Sequence, residues 1–232
     1  MISTPNAQRQ KKKLSKEEDM LKTLMPSLNK LITADYKAVK TAESEQLIAS
    51  FLHGLTPVST PELRQISGIP GSGKSTFCAT NLPQNFMLLS FDKIMTSLSG
   101  YQKALKAKGA EYAYKTYEMP ARIIGYELLR RAIAKKYNIM FEHSGTNAAH
   151  LELFKNLPKK GYKTAVDFIV CDTALAIERT KERVKEINRY VPETLVLERA
   201  SGLKDYMSAY QRLASKTSFF DGANNFAPLK KI

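Results

Sequence analysis

The stretch Glu62-Leu63-Arg64-Gln65-Ile66-Ser67-Gly68-Ile69-Pro70-Gly71-Ser72-Gly73-Lys74-Ser75-Thr76 decides how this chain is read. A short strand-like run, 62–67, leads into Gly68 to Ser75, a full match to G-x-x-x-x-G-K-[ST]. Glycines let such a loop turn its backbone N–H groups inward around a phosphate, because no Cβ blocks the required φ/ψ. A helix starting near Gly73 adds the positive end of its dipole at the same spot. In this arrangement Lys74 bridges the β- and γ-phosphates and Ser75 offers its hydroxyl to Mg²⁺. Gly68, Gly71, Ser72, Gly73, Lys74, Ser75 and Thr76 together read as an ATP site.

Downstream of the loop, helices and strands alternate. The pattern predicts strands over 62–67, 86–91, 138–142 and 162–171. Helices are expected from about 73, over 101–136, over 148–157 up to Pro158, and from 173 to about 214. A final strand pair is expected at Phe219/Phe220 and Phe226 to Leu229. Such alternation implies an α/β fold, a mostly parallel sheet covered by helices on both faces. Upstream, residues 14–33 show helical spacing with a capping box at Ser15 and Glu18. A second helix is expected over 36–53. TPVSTP at 56–61 breaks the pattern, which divides the chain into a helical extension (1–60) and a nucleotide-binding domain (61–232).

Ligands in open α/β sheets sit outside the carboxyl ends of the strands. Asp92, Glu142 and Asp172 fall there. Asp92 suits a base that accepts a proton from an attacking hydroxyl. Glu142 suits either substrate hydroxyls or a water near Mg²⁺, and Asp172 suits a helix N-cap. Arg179, Arg183 and Arg189 lie in a basic stretch, ERTKERVKEINRYVPE, and could close on a transferring phosphoryl group or form a solvated face. His53, His143 and His150 show no metal-ligand spacing.

Composition bounds the rest. The 232 residues suit one domain with an appendage, and no apolar run reaches the ~18 residues of a membrane span. Cys78 and Cys171 are too few for a disulfide framework, so a cytoplasmic protein is expected. The 36 Lys+Arg against 22 Asp+Glu give +14, which favours anionic partners, whether nucleic acid or phosphorylated small molecules.

GIPGSGKS, SFD around Asp92, IMFEHSGTN around Glu142, KGYK at 160–163, ER at 178/179 and RYVPE at 189–193 occur in order. This set resembles the zeta toxin family, P-loop kinases that phosphorylate the 3′-hydroxyl of UDP-N-acetylglucosamine and related UDP-sugars. The resemblance spans roughly residues 45–205. It implies a three-layer P-loop kinase fold, ATP and Mg²⁺ at Lys74 and Ser75, Asp92 as base, Glu142 and Ser144 on the nucleotide-sugar, and Arg179 and Arg189 as phosphate-binding arginines. It also implies a small helical antitoxin as partner, or an inhibitory role for the N-terminal segment, although simple packing is the plainer expectation for residues 1–45. Three positions depart from the family pattern: Ser90 stands where an acid is frequent, His143 where Gly is usual, and Thr146 where Arg is common. Two rival readings are a polynucleotide 5′-hydroxyl kinase, which would use the +14 charge, and a nucleotide-binding protein without catalysis.

Overall fold

The computed structural model describes residues 20–230. Helix α1 spans Ala42–Leu52, strand β1 Glu62–Ser67, α2 Lys74–Asn81, β2 Phe86–Ser90, α3 Phe91–Ser97, α4 Ser99–Lys108 and α5 Ala110–Ala134. There follow β3 Asn138–Glu142, α6 Ala148–Asn156, β4 Lys163–Val170, α7 Thr173–Ile187, α8 Glu193–Leu213, β5 Lys216–Asp221 and β6 Ala227–Pro228. The strands form one sheet in the order β2-β3-β1-β4-β5-β6, parallel throughout except for β6. This is the α/β, mostly parallel architecture that the alternation implied.

Strand β1, which feeds the glycine loop, is central, and Leu63 and Ile66 are fully buried between the helical layers. Register then sets the site. Glu142 pairs with Ile66 on one side and Ser90 on the other, so the ends of β1, β2 and β3 finish flush. The loop, Asp92 and Glu142 therefore meet at one edge of the sheet.

Several boundaries differ from expectation. The helix expected over 14–33 starts outside the described residues; what is described is helical at 20–24 and then gives way to a 3₁₀ turn, Pro26–Lys30. Pro26 carries no N–H, and its ring clashes with the preceding turn of a helix. The helix expected over 36–53 is also divided. Asp35 caps a single 3₁₀ turn, Tyr36–Ala38, and a reciprocal box between Thr41 and Ser44 starts α1 afresh. Strand β2 stops at Ser90, whose hydroxyl accepts the Lys93 N–H and opens α3 directly. The stretch 101–136 is split by Gly109, whose φ of +84° separates α4 from α5.

Residues 20–48 pack into the main core. Leu21, Leu24, Met25, Leu28, Leu31 and Ile48 are buried in one cluster with Leu63, Tyr126, Phe154 and Phe168. Polar ties reinforce this packing. Ser27 donates its N–H and hydroxyl to Glu152 (2.8 and 2.7 Å), Asn156 donates to the Leu24 carbonyl, and Arg131 forks onto Glu45 at 2.8 Å through both terminal nitrogens. Burying side chains of this size contributes roughly 1.5–3 kcal/mol each. Among the described residues, no helix is long and apolar enough to cross a membrane.

Candidate active site

The glycine loop is held tightly against its surroundings. Gly71 has φ +87°, and a Cβ there would lie 2.2 Å from the Ala176 carbonyl oxygen, so only glycine fits. Gly73, with φ +99°, caps α2. The Ser72 hydroxyl is buried with no partner among the described residues. Lys74 folds back and donates to the Ile69 carbonyl at 2.8 Å. Burial lowers its pKa to about 8, with Glu142 and then Asp92 pulling the other way. An unpartnered buried hydroxyl and a desolvated lysine beside a helix N-terminus are groups that an entering phosphate would satisfy.

Ser75 donates to Glu142 Oε1 at 2.5 Å. These hard oxygen donors suit Mg²⁺, with the Ser75 hydroxyl as the residue that would hold it. Among the described residues no group of three or more His, Cys, Asp or Glu side chains could hold a metal by itself.

Asp92 sits in the first turn of α3 and is ion-paired with Arg189, from the turn between α7 and α8. The two line a cleft of about 260 Å³ together with Lys74, Ser75, Glu142 and Ser144. Arg183 also lines it; burial, then repulsion from Arg189, lowers its pKa from the usual guanidinium value. Arg179 does not line the cleft. Its Nη1 donates to the Gly222 carbonyl at 2.9 Å, bracing the turn between β5 and β6. That turn presses on the loop, since a Cβ on Gly222 would lie 2.2 Å from the Ser72 carbonyl oxygen. Asp172 is an N-cap, accepting from the N–H groups of Ala174 and Leu175.

The lining residues not singled out from the sequence include Tyr114, Glu118, Arg122 and Arg199. The first three recur every four residues on α5, a polar stripe that helical spacing could have shown. Arg199 carried no local signal. It reaches across from α8, and its Nη1 donates to the carbonyl and hydroxyl of Thr146 (3.1 and 3.2 Å). Thr146 in turn shares a 3.0 Å hydrogen bond with Ser144.

The family model for zeta toxin matches residues 48–222, three quarters of the chain and all of this site except the N-terminal packing behind it. The chain belongs to the zeta toxin family. It is a phosphotransferase, an ATP-dependent kinase, as family and fold together establish. No curated protein matches it in sequence. Among solved structures, the PezAT chromosomal toxin–antitoxin system of Streptococcus pneumoniae is similar at 14% identity and a TM-score of 0.66, over 85% of this chain and 83% of that one. The AvrRxo1-ORF1:-ORF2 complex is similar at 14% identity and a TM-score of 0.59, over 83% of this chain and 64% of the other. Its form with ATP has a TM-score of 0.56 at 12% identity, covering 92% and 64%. At these identities the likeness is one of fold.

Proposed function

We propose that this kinase transfers the γ-phosphoryl group of ATP to the 3′-hydroxyl of UDP-N-acetylglucosamine or a close relative, with Asp92 as base. The observation that carries the reading is the convergence of Lys74, Ser75, Asp92, Glu142 and Arg189 on one cleft. The acceptor hydroxyl gives its proton to the Asp92 carboxylate as its oxygen attacks the γ-phosphorus. The bond from that phosphorus to the β-phosphate oxygen breaks, and ADP leaves with the electron pair. Lys74, Arg183 and Arg189 offset charge on the phosphoryl oxygens. Ser75 would hold Mg²⁺, which would supply charge neutralisation for the phosphates. Glu142 and Ser144, at the end of β3, would hold the sugar nucleotide. Arg179 would act through the β5–β6 turn.

The neighbouring PezAT system pairs a toxin with an antitoxin, and we extend that pairing to this chain as a proposed helical partner covering the nucleotide site. The +14 charge favours a second acceptor class, a 5′-hydroxyl polynucleotide. One assay tests both: ATP and Mg²⁺ with UDP-N-acetylglucosamine and a 5′-hydroxyl oligonucleotide in parallel tubes. Labelled sugar nucleotide is the expected product. Label on the oligonucleotide alone would overturn the acceptor assignment.

A further inference from the structure

His143 follows Glu142 directly and lines the same cleft. The Gly145 N–H donates to its Nδ1 at 3.1 Å. A ring nitrogen that accepts carries no proton, so the neutral imidazole holds its hydrogen on Nε2. The loop that makes this bond has little freedom. Gly145 has φ +79°, and a Cβ there would lie 2.5 Å from the Ser67 hydroxyl.

The ring is also clamped from behind. His150 packs edge-on at 4.1 Å between centroids, and Phe141 and Phe91 approach at 5.4 and 6.0 Å. His150 is fully buried and hydrogen-bonded through Nε2 to the Tyr126 hydroxyl at 2.8 Å. Nδ1 of His143, already accepting from the Gly145 N–H, has no free lone pair for a second proton, so the ring is neutral. Among the described residues none accepts from its Nε2.

The other strong side-chain donors in the cleft are mostly cations, Lys74, Arg122, Arg183, Arg189 and Arg199, or hydroxyls already in a hydrogen bond, such as those of Ser75 and Ser144; the Tyr114 hydroxyl is a further neutral one. Those cations suit phosphate. A rigid neutral N–H suits an uncharged oxygen. We propose that His143 determines acceptor specificity, its Nε2–H donating to a carbonyl or hydroxyl oxygen of the molecule being phosphorylated. This rests on the kinase reading with Asp92 as base, because the Nδ1 contact leaves His143 no free lone pair with which to take a proton.

Two measurements on the full chain test it. Imidazole ¹⁵N spectra at pH 7 report the tautomer without any acceptor, and a neutral Nε2–H ring is expected. A cationic ring or an Nδ1–H tautomer would overturn the proposal. Kinetics with UDP-N-acetylglucosamine then compare wild type, His143→Phe and His143→Gln. Phe keeps the packing and loses the donor; Gln keeps an N–H near the Nε2 position. Expected are an acceptor KM raised about tenfold in the Phe variant, an unchanged KM for ATP, and recovery in the Gln variant. An unmoved acceptor KM, or both KM values rising together, would sink it. Absence of turnover in the wild type would instead count against the acceptor named above, and the spectra would still decide whether His143 is a neutral donor.

Discussion

Arg189 and Asp92 are partners across the cleft, and each is the other's ion-pair contact. The carboxylate side chain is 43% exposed and the guanidinium 18%. On the proposed mechanism a triphosphate would compete for Arg189 and leave the Asp92 oxygen to accept a hydroxyl proton. We predict that Asp92→Asn lowers phosphoryl transfer by about 10²–10⁴ while ATP affinity is retained. Arg189→Ala should lower kcat by roughly 10³. Initial rates alongside calorimetric ATP binding check both; full turnover in Asp92→Asn would remove it as the base.

Lys74 supplies a prediction about protons. Its pKa is about 8 in the free site, below its ordinary value of 10.5, chiefly through burial. The folded chain therefore binds fewer protons than the unfolded one between pH 8 and 10.5, and this group makes stability rise with pH over that window. A bound polyphosphate favours the ammonium and reverses the shift. ATP binding near pH 8.5 should be accompanied by proton uptake, seen as a dependence of binding heat on buffer ionisation enthalpy. Lys74→Met should abolish that dependence.

The two arginines of α7 should separate cleanly. Arg183 lines the cleft, whereas Arg179 holds the Gly222 carbonyl from outside it. Arg183→Ala is expected to lower kcat by about 10³ if it meets the phosphoryl group. Arg179→Ala is expected to act through a loosened β5–β6 turn, with ATP KM rising more than kcat falls. Steady-state kinetics on the pair of variants decide; equal effects on kcat would place both guanidiniums on the phosphates.

How much of this was legible beforehand follows from where the information lies. Gly68 to Ser75 announces itself because backbone geometry demands glycine at fixed spacing, and β2, β3 and β4 announce themselves as apolar runs. Asp92 and Glu142 were found because strand ends are where sheets of this kind collect function. Arg199 and Arg122 were not found. Arg122 sits on a polar stripe with Tyr114 and Glu118 that helical spacing could have shown, whereas the place of Arg199 in the cleft rests on its contact to Thr146, 53 residues away, which no local pattern encodes. The divided N-terminal helix was missed for a simpler reason. Apolar spacing persists through Pro26, and buried Leu28 and Leu31 keep the helical rhythm on a backbone that is no longer α-helical.

The Glu45–Arg131 fork should leave an acid signature. The hydrogen bond from Arg131 holds the Glu45 carboxyl down to about 2, against 4.5 for the free group. A lowered carboxyl pKa contributes stability that is complete above pH 4.5 and lost as the pH falls through 2. Glu45→Gln should therefore lower Tm at pH 7, and the gap to wild type should narrow steadily below pH 4.5. A gap independent of pH would mean that packing of α1, and not charge, was what the substitution disturbed.

The N-terminal segment yields the last prediction. A detachable inhibitor would leave a stable and more active kinase when removed. Here Leu21, Leu24, Met25, Leu28 and Leu31 are core residues, and the Leu31 carbonyl receives Arg122 Nη1 at 3.1 Å, so the same segment orients a cation of the cleft. Deleting residues 1–40 should then expose the core and abolish cooperative folding. The milder Leu24→Ala should cost about 2–5 kcal/mol in urea unfolding while specific activity of the folded fraction stays near that of wild type. A 41–232 chain that unfolds cooperatively and turns over faster than wild type would establish inhibition instead.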